Sequence, residues 1–402
     1  MIVACQHCDY LVSIRNLGEQ QRAVCPHCGN VLATTQRNYA QWIAAFSLSS
    51  IIFLLLSLQP HFISYAQHGL KQTISLMAAI MQLAENYSVF LAALLSVSIV
   101  ILPLIASTLI LMVHTPIWQK LNPHNARVVA KFIMTLRPLN LADIFLVAVL
   151  ISAFKLTAFA EIEVGLGFWA YILFVLCFIE TLSLLSQHQL WQLQQAHFTP
   201  TIEHCAKRAS SQQLKQCHVC QQISRSEHCP RCLAKLTYRK NNSIARSAAW
   251  MFTSLVFMVP ALSFPIMDTI NLGLHTPATI YGGVEVLWRN GSYPIAIVIF
   301  IASICIPLLK AGTLFYLLYR VRRPVNPKVT AKFYRALEAV GKWSMIDVFV
   351  VILLVSLVQL GTVLSVEPQP GIVFFTAMVI CQIFAVNNFD PRLLWDSLNR
   401  HE

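Results

Sequence analysis

Charge is what this sequence has least of. Asp, Glu, Lys and Arg make up 11% of its 402 residues, where an ordinary soluble domain has about 25%. With 56% of the residues hydrophobic, that shortage excludes a soluble globular chain and implies an integral membrane protein. Several motifs are also missing. There is no Walker loop, so ATP is not the energy source within this chain. There is no HExxH, no Ser–His–Asp elbow and no metal site with an open position, which argues against a membrane enzyme such as one that modifies lipids. The first 38 residues hold no short apolar core followed by small residues. No signal peptide is therefore expected, and the first apolar run should stay as an anchor with the N-terminus on the synthesis side.

What is abundant is apolar sequence in long runs. Eight are long enough to cross about 30 Å of hydrocarbon, at 40–60, 88–113, 139–159, 167–187, 244–264, 293–319, 344–364 and 371–388. The 29 basic residues outnumber the 17 acidic ones, and they are unevenly placed. Segment 114–138 carries Lys120, Arg127, Lys131 and Arg137 with no acid, and segment 320–342 carries seven bases against Glu338. The alternate connections are acid-leaning or nearly neutral, with Glu161 and Glu163 in one, Glu367 in another, and Asp268, Glu285 and Arg289 in a third. This alternation follows the positive-inside rule and puts the N-terminus, segment 188–243 and the C-terminus in the cytoplasm. The excess charge is read as topology and anionic-lipid contact; no nucleic-acid partner is expected.

The chain also repeats itself. A shift of 204 carries Cys25 and Cys28 to Cys229 and Cys232, Asn38 to Asn242, Pro103 to Pro307, Asp143 to Asp347 and Phe145 to Phe349. The expected fold is an all-α integral membrane protein of two tandem four-helix transmembrane modules in the same orientation, each preceded by a small cytoplasmic rubredoxin-like zinc ribbon. The expected boundaries are ribbon 1 at 1–37, module 1 at 38–190, linker and ribbon 2 at 191–241, and module 2 with a short tail at 242–402.

The ribbons rest on four CxxC pairs: Cys5 with Cys8, Cys25 with Cys28, Cys217 with Cys220, and Cys229 with Cys232. Two knuckles supply four thiolates for tetrahedral Zn²⁺, and the closed site implies a structural ion. Iron in the same cage and redox chemistry are the alternatives; a cytoplasmic setting disfavours disulfides. His7, His27 and His218 lie inside the knuckles and read as exposed spacers rather than ligands.

Ionisable residues inside apolar runs mark candidate functional positions. Lys310 lies nearly three helical turns from Arg320, deep for a snorkelling side chain. Pro307 just before it predicts a kink, as does Pro103 in the first half. The expected partner of Lys310 is Asp347, with Ser303, Ser344 and Gln382 lining the same polar track. Asp143 matches Asp347, and its alternative reading is a carboxylate held by a helix N-terminus. The first half has Ala106 in place of the lysine and adds Glu180 on its fourth helix.

The stretches LWRNGSYPIAIVIFIASICIPLLK (287–310), WSMIDVFVV (343–351) and FDPRLLWD (389–396), with the doubled ribbons, resemble the paraquat-inducible protein A family, over essentially the whole chain. The resemblance implies an inner-membrane protein of Gram-negative bacteria that works with a periplasm-spanning MCE-domain protein to move phospholipid between membranes. Membrane lipids and that MCE protein are the implied partners. A transporter-like chain without ATPase signals must be passive, use a partner or exploit an ion gradient, and the residues themselves offer the Lys310–Asp347 pair, a static brace or a proton-exchanging switch, as the candidate for gradient coupling. A membrane stress or redox sensor acting through its ribbons is the competing expectation.

Overall fold

The computed structural model describes residues 2–14, 21–34, 38–67, 70–86, 89–115, 123–137, 140–156, 161–185, 190–191, 207–271, 274–289, 291, 293–322, 327–341, 345–357 and 364–396. Its two halves follow one plan. Each begins with a lead helix, Tyr39–Leu58 or Ser243–Ser263. Both lead helices start after an asparagine in left-handed conformation, Asn38 at φ 52° and Asn242 at φ 50°, a geometry that asparagine tolerates better than most residues. A hairpin follows, His61–Gln67 with Leu70–Ser75 or Met267–Asn271 with Leu274–Ala278, and then a short helix, Leu76–Asn86 or Ile280–Arg289. The chain returns through a long proline-containing helix, Val89–Val113 in the first half. Its counterpart is continuous through Tyr293–Phe300, Ile301–Cys305 and Ile306–Arg322.

On the ribbon side an amphipathic helix lies next, Pro123–Leu136 or Pro327–Gly341. An interface helix, Ala142–Leu156 or Met345–Leu357, then leads to one strand, Glu161–Val164 or Leu364–Pro368. That strand pairs antiparallel with the first strand of the hairpin, making a three-stranded sheet on the side away from the ribbons. A return helix, Leu166–Leu184 or Gly371–Asn388, completes each unit. The sheets are an addition to the expected helical plan.

Six described helices have the length and apolar composition of membrane spans. They are the lead, proline and return helices of both units. The two interface helices, described over 15 and 13 residues, each bury one face in protein. They pack against each other along Ile144, Phe145, Ala148 and Val149 and along Val348, Phe349, Ile352 and Leu353, all buried. Phe145 and Phe349, matched by the repeat, meet edge to face at 5.7 Å between ring centroids, a favoured aromatic geometry. This contact joins the units.

At Pro103 and Pro307, where kinks are expected, the helices depart locally from α geometry. Each proline follows a π-helical turn, Val97–Ile101 or Ile301–Cys305. Proline offers no N–H to the preceding turn, and the wider turn absorbs the break. The two π turns also keep the 204-residue register.

Lead and return helices pack closely because small residues line the contact. Ser47 and Ser57 are buried in the first unit, as are Ser247, Ser254 and Ala261 in the second, while Ser50 donates to Ser107 of the proline helix at 3.0 Å. Where the chain turns between them, Gly167 and Gly371 occupy matched positions. A Cβ on Gly371 would lie 2.5 Å from the carbonyl oxygen of Pro265 and 2.7 Å from that of Phe264, and one on Gly167 would lie 2.9 Å from that of Pro60. Substituting Gly371→Ala should therefore destabilise the fold by about 1–3 kcal/mol, the usual cost of overpacking, read as a lowered thermal unfolding temperature of the detergent-purified protein.

Candidate metal centres and the buried polar site

All four CxxC segments fold as the same knuckle. The residue after the second cysteine is left-handed each time: Asp9 at φ 63°, Gly29 at 74°, Gln221 at 61° and Leu233 at 60°. Its N–H donates to the carbonyl of the first cysteine, so Asp9, Gly29, Gln221 and Leu233 bond to Cys5, Cys25, Cys217 and Cys229 at 2.8–3.0 Å. The turn thus aims both sulfurs of a knuckle to one point. Sulfurs from paired knuckles approach to 3.5 Å (Cys5 and Cys28), 3.6 Å (Cys8 and Cys25), and 3.4 Å for both Cys217 with Cys232 and Cys220 with Cys229. A tetrahedron with bonds of about 2.3 Å has edges of about 3.8 Å, so both cages fit a four-thiolate metal ion. Disulfide sulfurs would stand about 2.05 Å apart. With thiols this crowded, the hydrogen bond between Cys5 and Cys28 pushes Cys5 up to about 12 and pulls Cys28 down to about 2.

The ribbons are seated crosswise. Cys5, Cys8 and Cys25 share a core with Met251, Leu314, Tyr334, Leu337, Phe389 and Trp395 of the second unit. Cys217, Cys220, Cys229 and Cys232 share one with Ile43, Ile110, Ala126, Ala130 and Ile133 of the first. The knuckle histidines are contacts, not exposed spacers, in ribbon 1. His7 meets Tyr334 edge to face at 6.0 Å, and His27 stacks on Tyr10 at 5.1 Å and lies 4.5 Å from Trp395.

A group of charges that sequence reasoning missed clamps this arrangement. Arg239, at the exit of ribbon 2, donates to both carboxylate oxygens of Asp396 at 2.6 and 2.7 Å and to Asp9 of ribbon 1 at 3.1 Å. Burial works against the Arg239 charge, but Asp396 and Asp9 outweigh it and strengthen its hold on the proton. Arg392 grips Asp390 through two 3.0 Å bonds. Burial alone would push Asp390 up, yet those bonds and the Arg392 charge hold it below the usual carboxylate range. The one available signal was the density of charge in FDPRLLWD, directly after the last apolar run.

In the interior of the second unit the structure brings together Ser303, Pro307, Lys310 and Gln382. Ser303, Lys310 and Gln382 are 3%, 2% and 1% exposed. Positions 303, 307 and 310 follow one another on one helix face, and Gln382 donates to the carbonyl of Pro307 at 3.3 Å. The first unit holds buried Ala106 and Phe178 at the positions of Lys310 and Gln382. Pro103 is buried likewise, without a charged neighbour one turn on. Asp143 sits exposed in the first turn of its interface helix, and Glu180 is exposed on the first return helix; neither enters a buried polar group. Asp347 lies on the second interface helix, but its side chain, like the whole of Ser344, falls outside the described residues.

A duplicated bundle of membrane-capable helices with two four-cysteine sites that could each hold a metal ion defines a polytopic membrane protein with paired cysteine ribbons. The chain belongs to the family of paraquat-inducible protein A, whose family model matches residues 40–195 and 244–399. It is 34% identical over 403 residues to "Intermembrane transport protein PqiA" of Escherichia coli strain K12, covering 98% of this chain and 95% of that one. It is 26% identical over 414 residues to "Probable intermembrane transport protein" of Haemophilus influenzae, covering 100% and 97%. It is 27% identical over 402 residues to "Lipophilic envelope-spanning tunnel protein A" of Escherichia coli strain K12, covering 98% and 91%. No solved structure matches it.

Two measurements test the site. Elemental analysis of the purified chain should find two metal ions per molecule, and one after Cys25→Ser; unchanged stoichiometry in the variant would remove Cys25 from the ligands. Arg239→Ala strands Asp9, whose side chain is 3% exposed, and should lower stability by about 3 kcal/mol, whereas Arg239→Lys should recover part of the loss.

Proposed function

We propose that this protein is the inner-membrane component of an intermembrane phospholipid transport system in a Gram-negative envelope, acting with a periplasm-spanning MCE-domain partner to maintain the outer membrane. Names of full-length relatives support transport between membranes. The basic helices on the ribbon side support a cytoplasmic location for ribbons and termini. The ribbon cages suit Zn²⁺ in a structural role, since four thiolates leave no position for substrate. The redox-sensor alternative draws no support from sulfurs enclosed by their knuckles and packed against the membrane units.

The observation that carries the proposal is the buried Lys310 beside a π turn, in a unit whose twin has alanine there. An ammonium in a membrane interior persists where something depends on it. Its helix and that of Asp347 both pack against the return helix bearing Gln382, which supports a Lys310–Asp347 pair. A proton taken up by the carboxylate from one side would break the pair, release of the ammonium's proton to the other side would leave both groups neutral, and transfer of the carboxyl proton to the amine would restore the pair, so each turn moves one proton across. A proton gradient could drive such a cycle without ATP.

The test is complementation of an envelope-permeability defect in cells lacking the protein. Lys310→Ala and Asp347→Asn should each abolish rescue at normal protein level. Full rescue by both variants would reduce the pair to a brace and leave the transport reading without its mechanism.

A further inference from the structure

We propose that the two matched amphipathic helices form a platform that binds anionic phospholipid headgroups of the leaflet on the ribbon side. Their sequences, PHNARVVAKFIMTL and PKVTAKFYRALEAVG, align at a shift of 201, so that Val128, Lys131 and Phe132 match Val329, Lys332 and Phe333. One face of each is explained by the fold. Ala126, Ala130 and Ile133 pack beneath ribbon 2, and Ala331, Tyr334 and Leu337 beneath ribbon 1.

The opposite face is not explained by the fold. Val128 and Phe132 are 53% and 46% exposed, and their counterparts Val329 and Phe333 are 49% and 48% exposed. Spaced i and i+4, each pair forms one stripe, about 150° from the buried face in the first helix and about 120° in the second at 100° per residue. A helix bathed in water would carry polar residues there. Arg127 and Lys131 border the first stripe, and exposed Lys332 holds the matching place beside the second. An apolar stripe edged by basic side chains is the signature of a helix lying in a membrane–water interface, its rings in the acyl boundary and its cations among the headgroups. The neighbouring proline helix continues the pattern. Tyr316 meets Phe333 edge to face at 6.1 Å, and Arg320 sits 4.9 Å over the Tyr316 ring, as in the aromatic belts at membrane surfaces.

The occupant follows from position and charge. Each helix succeeds a membrane span on the ribbon side, so the leaflet surface is the plane beside its exposed stripe. Basic borders select anionic over zwitterionic headgroups, and exposed Val and Phe suit lipid better than nucleic acid. This inference holds whether or not the chain transports lipid.

The experiment uses the full-length protein, delipidated in detergent and titrated with dioleoylphosphatidylglycerol or dioleoylphosphatidylcholine, with bound lipid counted by native mass spectrometry at two salt concentrations. The wild type should retain phosphatidylglycerol in preference, less so at high salt. The triple variant Arg127→Gln, Lys131→Gln, Lys332→Gln should bind phosphatidylglycerol at least tenfold more weakly and phosphatidylcholine unchanged. Phe132→Ser with Phe333→Ser should weaken retention of both. Metal content and unfolding temperature in detergent serve as folding controls, since all five side chains lie outside the core. A triple variant that holds phosphatidylglycerol as the wild type does, or a wild type indifferent to the two headgroups, overturns the proposal.

Discussion

In hydrocarbon, a backbone amide or a charge that the protein does not satisfy has no water to turn to. That constraint shapes both units. It requires helices throughout the apolar layer, so the strands appear only where each helix has ended on the far side. It makes a mid-span proline costly, and in both units a π turn just before the proline accommodates the break. It also requires that Lys310 be surrounded by protein, which the second unit does by placing Gln382 and Ser303 on neighbouring surfaces.

The same constraint divides labour between the copies. The first unit packs Ala106 and Phe178 where the second holds Lys310 and Gln382. The first copy buries hydroxyls, such as the Ser50–Ser107 pair, and the second adds a buried amine and amide at Lys310 and Gln382. The interface helices, with Phe145 against Phe349, tie the two together, so a change in the packing of one is felt by the other.

Much of this was legible in the sequence, because the legible features are local. CxxC spacing fixes a knuckle whatever surrounds it, and a constant shift of 204 exposes the duplication without any knowledge of contacts. The sheets were not legible. In the strand His61–Gln67 the consecutive residues Phe62, Ile63 and Ser64 are all buried, with a register irregularity between His61 and Ile63, so the alternation that betrays a strand is absent. The Asp9–Arg239–Asp396 clamp joins residues 230 and 157 positions apart, and no local pattern announces it. Nor does anything in two similar ribbons say which bundle each will sit on.

That last point bears on how the chain can be taken apart. Because ribbon 1 rests on the second bundle and ribbon 2 on the first, cutting the polypeptide between the repeats would not release two self-sufficient halves. Each fragment would carry the headpiece its sibling needs and expose the seat where its own should not go. Only by trading headpieces, as exchanged segments do in intertwined dimers, could the fragments recover the fold of the whole.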